Sequence, residues 1–493
     1  MESSGQHIGF LTRNRHAFPA IFSGLALSLI FSWLIGKGGL PVALVYAGFA
    51  PILIYVYVTL IAPKAGLVGY ILASYFAIGI NRYIPGPLGL TIDGLLVLTW
   101  LGVFFSTSNE DRKRMNNPLS WMMLIWFGYT FLELVNPEVH SRAAWFFAVR
   151  GLSVYFVLAV PLVFILANKR KDLYNFLRVY IILTLVVAAW GFKQKYFGVD
   201  GAERAWLDAG ASSTHILHGR LRVFSFLSDA GQFGALMAHA VIITLVMGFG
   251  EKTFWKKIIY ILLAVLFFVS LAISGSRGPL LVVFAGMGMY LILIQNVRLL
   301  VIGATIALGA FVFLKYTSIG SGIYELQRLR TALDPNDASF QVRLENQRML
   351  RTYLASRPLG GGIGAGGSWG QRFAPNSFLA EVPYDSWYVK VWVETGIIGL
   401  SLYIILIICH LVYGYFYLQR SPDPEVRMRL VALYTGYFGL AVGSYGNQIY
   451  GQSPISTLIV FSLCFIFMAP NLTKENDEEP DDIDHHGQLP RHE

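Results

Sequence analysis

Charge is scarce in this chain: only 14% of its 493 residues are acidic or basic. Cysteine is scarcer still. The two present, Cys409 and Cys464, both lie inside apolar runs, which argues against a disulfide framework or a thiolate metal site. No small-residue cleavage site follows the first apolar run, so that run reads as a retained span and not as a signal peptide. No internal repeat recurs, as it does in many transporters. Nor do the basic residues gather in one stripe. The net charge of +9 is dispersed among loops, which suits anionic lipid or phosphate and gives no indication of a nucleic-acid partner.

What fills the chain instead is apolar: 55% hydrophobic residues, 49 Gly and 11 Trp, with a mean hydropathy of +0.55. Gly is commoner in membrane helices than in soluble ones, and Trp gathers at the interfaces. A span needs about 20 mostly apolar residues to cross the hydrocarbon core. Such runs predict an all-α polytopic membrane protein with about 14 helices (12–14), at 18–36, 40–62, 65–81, 87–107, 117–135, 150–167, 174–197, 229–249, 258–274, 279–296, 298–315, 387–416, 428–449 and 454–470. They are spread too evenly for several soluble domains, so 18–470 reads as one membrane domain. It follows a polar segment, 1–17, and precedes an acidic tail, 471–493. That tail has almost nothing apolar to bury and is expected to be disordered.

Arg112-Lys113-Arg114, Lys169-Arg170-Lys171, Lys252 with Lys256-Lys257, and Arg420 with Arg427 and Arg429 fall on alternate turns of the helix count. The positive-inside rule makes that side cytoplasmic, together with both termini. The longer loops, 198–228 and 316–386, and the short link around Arg277 then face outward.

Three outward stretches carry the candidate chemistry. Arg220-Leu221-Arg222 leads towards Asp229 and a span. Ser274-Gly275-Ser276-Arg277-Gly278-Pro279 is a tight link between two spans. The loop 316–386 ends in Pro383-Tyr384-Asp385-Ser386 and runs on to Glu394-Thr395-Gly396-Ile397-Ile398-Gly399. An arginine at membrane depth is costly unless it is paired or lines a wet cavity, and charge bias works against Arg277 on the outer face. The alternative is a snorkelling anchor at a helix end. Asp334-Pro335-Asn336-Asp337 predicts a helix start, and 338–355 a surface helix bearing Arg343, Arg348 and Arg351. The glycine run 360–367 offers either backbone N–H groups for phosphate or a flexible turn; no Lys-Ser follows it as in a P-loop. Asp385 is either a general base or the cap of the helix after it. Glu381 and Glu345 are alternative bases, Arg150 and Arg142 possible additional phosphate contacts, and His215 and His218 a weak metal pair. Glu133 and Asp93 read as partners of neighbouring polar groups. Several arginines converging from separate segments suit a diphosphate, because guanidinium forks match phosphate oxygens.

The order of these parts resembles the O-antigen ligase and O-antigen polymerase superfamily of bacterial membrane glycosyltransferases. The matching parts are Arg222 before a span, Ser276-Arg277-Gly278, Arg343 on the loop helix, Arg357-Pro358-Leu359-Gly360-Gly361-Gly362-Ile363-Gly364, and Gly396-Ile397-Ile398-Gly399, over roughly 215–410. The resemblance implies an inverting, metal-independent enzyme with no cofactor. Its donor would be an undecaprenyl-diphosphate-linked glycan at the outer face of the bacterial cytoplasmic membrane. The acceptor is lipid A–core in ligases, a carrier-linked glycan in polymerases, and protein in some relatives. Arg222 and Arg277, with Arg343, would bind the diphosphate. Asp385-Ser386 stands where the family has a histidine followed by Asn, Ser or Gln, and this departure bears on the base. The ligase reading is placed first and the polymerase second; a lipid-linked glycan transporter and an inactive scaffold are the rival classes.

Overall fold

The computed structural model describes residues 48, 50–84, 86–217, 219–295, 297–322, 327, 328, 330, 336 and 338–473. The segment 1–17, the first expected span, the start of the second, nearly all of the acidic tail, His218, and Asp334, Pro335 and Asp337 lie outside the described residues.

Helices α1 (Ala50–Ile61), α2 (Lys64–Ile80), α3 (Leu90–Ser106), α4 (Pro118–Val135), α5 (Arg142–Leu166), α6 (Arg170–Tyr196), α7 (Ala230–Gly250), α8 (Phe254–Ile273), α9 (Gly278–Ile294) and α10 (Val297–Tyr316) come first. A segment holding α11 (Ala338–Leu354) and α12 (Gly367–Phe373) follows. Then α13 (Trp387–Gln419), α14 (Pro424–Gly443) and α15 (Ile455–Phe467) complete the bundle. Six of these, α4 to α8 and α13, are long and apolar enough to cross a membrane, and α1 to α3, α9 and α15 are shorter apolar helices. Among the described residues the sheet content is one hairpin, β1 (Ile216–Leu217) antiparallel to β2 (Arg220–Leu221). The helical class is as the hydropathy predicts, and the helix expected over 338–355 is present as α11.

Two expected spans are corrected. The span expected at 428–449 begins earlier and stops earlier. The Asp423 carboxylate accepts from the N–H groups of Glu425 (2.8 Å) and Val426 (3.4 Å), and Pro424 occupies the first turn. The helix therefore includes the charged first turn that hydropathy omits. It ends at Gly443, and the polar stretch up to Pro454 is not helical. The span expected at 387–416 is broken. Gly396 adopts φ 66°, ψ −169°, a conformation open essentially to glycine. A Cβ there would lie 1.9 Å from the Pro358 carbonyl oxygen. Residues 387–395 thus form a separate short helix, folded so that Trp387 Nε1 donates to Tyr403 Oη at 2.8 Å. A continuous helix would put those residues about 24 Å apart.

The core centres on α7, buried along nearly its whole length and packed against α8, α9 and α14. With no hydrophobic drive between helices in lipid, close approach through small residues supplies the packing. Thus a Cβ on Gly439 would come 2.5 Å from the Val282 carbonyl oxygen, so α9 and α14 meet backbone to backbone. The loops sort into two ends. At one, Lys64 pairs with Asp172 (2.9 Å), and Arg170 with Asp423 (3.4 Å) and Glu425 (3.2 Å), which brings two of the basic turns together. The β-hairpin, the 274–278 link, the approach to α13 and the 444–454 turn meet one another at a different place, where the candidate residues lie.

Candidate functional site

Arg222 leaves the hairpin directly after β2. Its N–H donates to the His215 carbonyl (2.8 Å) and its Nη1 to the Thr214 carbonyl (3.1 Å). Its side chain runs beside Gly275, where a Cβ would lie 3.7 Å from Arg222 Cγ. This joins Arg222 to the 274–278 link. The link turns through Gly275 at φ 61°, and the Ser274 hydroxyl accepts from the Ser276 N–H at 3.1 Å. Arg277 follows as the half-buried residue before α9, with Gly278 and Pro279 opening the helix.

Arg343 and Asp385 meet directly. Arg343 Nε donates to Asp385 Oδ2 at 2.9 Å, and Arg343 Nη1 to the Gly446 carbonyl at 3.3 Å. Asp385 is not the cap of the helix that follows. That place belongs to Ser386, whose hydroxyl accepts from the Val389 N–H at 3.5 Å. The carboxylate, 59% exposed, is thereby turned to the arginine of α11.

The turn 444–448 joins the two pairs, and hydropathy had hidden it inside a span. Asn447 Nδ2 donates to the Ser276 hydroxyl at 3.3 Å. Its amide lies between the first turns of α7 and α9: a Cβ on Gly231 would come 2.7 Å from Asn447 Nδ2, and one on Gly278 2.5 Å from Oδ1. Gly446 receives Arg343, Gln448 Nε2 donates to the Tyr384 carbonyl, and the Trp387 N–H donates to the Ser444 carbonyl at 2.9 Å. The signal for this turn was present as Gly443-Ser444-Tyr445-Gly446-Asn447-Gln448, a run too polar and glycine-rich for a span interior.

Other candidates stand apart. Arg150 is held by Asp93 at 2.9 Å, and Glu345 pairs with Arg348 at 3.3 Å, both of them exposed. The Glu133 carboxylate accepts from Asn136 Nδ2 at 2.6 Å. His215 is buried edge-on to Trp206 and Phe224, and its Nδ1 lies 2.9 Å from the Ala211 carbonyl. Burial lowers its pKa below the usual histidine value. The glycine run is neither a flexible turn nor an exposed cradle. Residues 360–366 are almost all buried, Gly361 N–H donates to the Val393 carbonyl at 2.8 Å, and a Cβ on Gly360 would stand 2.4 Å from Gly396 N. It packs the loop against the break in α13. Arg357 pairs with Glu138 at 3.0 Å and stacks on Tyr353.

These features define a multi-pass helical membrane protein with arginines, a carboxylate and tight glycine turns gathered among the loops at one place. Residues 261–404 match the family model described as O-Antigen ligase. An O-antigen polymerase of Salmonella muenchen is 21% identical over 341 residues, which cover 65% of this chain and 82% of the relative. Both comparisons make this chain similar to the O-antigen ligase and polymerase superfamily. The matched segment contains Arg277, Arg343 and Asp385; Arg222 lies before it.

Proposed function

We propose that this chain is an inverting, metal-independent glycosyltransferase that moves glycan from an undecaprenyl-diphosphate carrier to an acceptor at the outer face of the bacterial cytoplasmic membrane. The observation that carries this reading is the 444–448 turn, which ties the Arg222–Arg277 region to the Arg343–Asp385 pair. Arg222 and Arg277 bind the diphosphate, and Arg343 adds to that charge while orienting Asp385. Guanidinium forks stabilise the leaving diphosphate as negative charge develops on it. Asp385 takes the proton of the acceptor hydroxyl as it attacks the anomeric carbon, as a carboxylate does with water in inverting glycosidases. Two acceptors are proposed: lipid A–core, as in a ligase, and a carrier-linked glycan, as in a polymerase. The family description favours the first and the Salmonella relative's name the second.

The test is transfer by the purified protein in vesicles supplied with undecaprenyl-diphosphate-linked glycan and either acceptor. Release of undecaprenyl diphosphate with a lengthened carrier-linked chain marks a polymerase; release with glycosylated lipid A–core marks a ligase. Movement of intact donor across the vesicle without release would replace the enzyme by a transporter. Neither release nor movement would leave the scaffold reading.

A further inference from the structure

Between Arg222 and the start of α7 the backbone makes an unusual turn. Ser225 is fully buried and has φ 53°, the left-handed region that a residue with a Cβ seldom occupies. The surroundings over-determine it. Gln194 Oε1 accepts from the N–H groups of Ser225 (2.8 Å) and Phe224 (3.2 Å), and the Ser225 hydroxyl donates to the Val187 carbonyl at 2.7 Å. Gln194 is itself fixed, its Nε2 donating to Glu203 at 2.6 Å. Glu203 is 1% exposed and also accepts from Trp190 (2.8 Å) and Lys193 (3.1 Å).

From the other side comes Arg82, just beyond α2. Its Nη1 donates to the Ser225 carbonyl at 2.6 Å and its Nη2 to the Leu227 carbonyl. Its guanidinium lies 4.3 Å from the Trp206 ring centre and 4.5 Å from that of Phe224. An arginine that merely anchored a helix end would reach for water. This one spends its fork on two carbonyls of a strained turn, and a lysine cannot reproduce that planar double contact. Both carbonyls belong to the short stretch between Arg222 and Asp229. Ser225 is three residues from Arg222, so the turn fixes the outgoing end of the segment whose incoming end is fixed by the hairpin.

We propose that Arg82 is a positioning residue for Arg222: by gripping the left-handed turn at Ser225 it holds the segment that aims Arg222 at the donor diphosphate. This rests on the reading of Arg222 as a diphosphate ligand. Strain of this kind persists where the surroundings impose it, and such strain clusters at ligand clamps.

The test measures binding of undecaprenyl diphosphate to the full-length protein in nanodiscs, beside its thermal unfolding. Arg82→Ala is expected to weaken binding about tenfold or more, the scale of one charged contact, with Arg82→Lys weakened too. Glycine adopts the left-handed turn without a Cβ penalty, so Ser225→Gly added to Arg82→Ala is expected to restore part of the affinity. A merely structural arginine would lower the unfolding temperature without changing the affinity of the folded fraction. Wild-type affinity in folded Arg82→Ala, or in Arg82→Lys where Ala fails to fold, overturns the proposal. Arg222→Ala separates the two ideas. If it binds normally, the diphosphate reading fails; if it loses binding while the Arg82 variants keep theirs, only the positioning role fails.

Discussion

Arg277 stands where a small-residue link meets the first turn of α9, and the neighbouring Ser276 is held by Asn447. Its backbone is therefore placed by the fold. Loss of one charge-assisted contact costs about 1.5–3 kcal/mol. Arg277→Ala and Arg222→Ala are expected to reduce transfer at least tenfold with folded protein retained, and Arg277→Lys to recover little because a point charge lacks the fork. Glycan output near wild type from Arg277→Ala would mean the arginine only anchors a helix end. Asp385 invites a separate comparison. With Ser386 as the cap, Asp385→Asn leaves α13 intact while removing the proton acceptor, and a general base contributes about 10²–10⁴-fold. A rate loss of that size in Asp385→Asn, partly restored by Asp385→His, is expected; full transfer by Asn would turn attention to Glu381 or Glu345.

Among the elements, the break in α13 has the largest consequence. Gly396 ends a short helix, lets 397–419 turn away, and admits the Pro358 carbonyl where a Cβ would clash. Gly399, three residues on, packs against Tyr129 and Thr395. The Gly-x-x-Gly spacing is thereby a packing requirement: one glycine for the turn, one for the close approach. Gly396→Ala is expected to destabilise the protein by about 2 kcal/mol or more, since it combines a disfavoured φ with a steric clash. A melting curve in detergent checks this, and an unchanged melting temperature would contradict the break. The glycine run at 360–366 belongs to the same joint, which is why its backbone is buried and not presented to a ligand.

Across the whole molecule, the charged loops and the candidate residues occupy different parts of the fold: Arg170 meets Asp423 and Glu425, while Arg343 meets Asp385 and Gly446. The positive-inside rule predicts a cytoplasmic first group and an outward-facing second. In a variant lacking Cys409 and Cys464, a membrane-impermeant thiol reagent applied to intact cells is expected to label Asn336→Cys and to spare Arg420→Cys. The reverse pattern would invert the topology and place the site on the wrong face for an outer-leaflet donor.

Local order along the chain was enough to specify a great deal. Apolar run length made the membrane helices legible, because desolvated backbone must satisfy itself within each helix. Helical spacing gave α11, and the order of short motifs pointed to the superfamily. Which residues meet was another matter. Hydropathy averages over a window, so it extended α14 through the Ser444-Tyr445-Gly446-Asn447-Gln448 turn and ran α13 straight through Gly396. It had no means of pairing Arg343 with Asp385, 42 residues apart, or of setting Asn447 beside Ser276, 171 residues away. Hydrogen bonds and close backbone approaches between distant segments depend on the packed positions of all the helices at once, and only the tertiary structure supplies those.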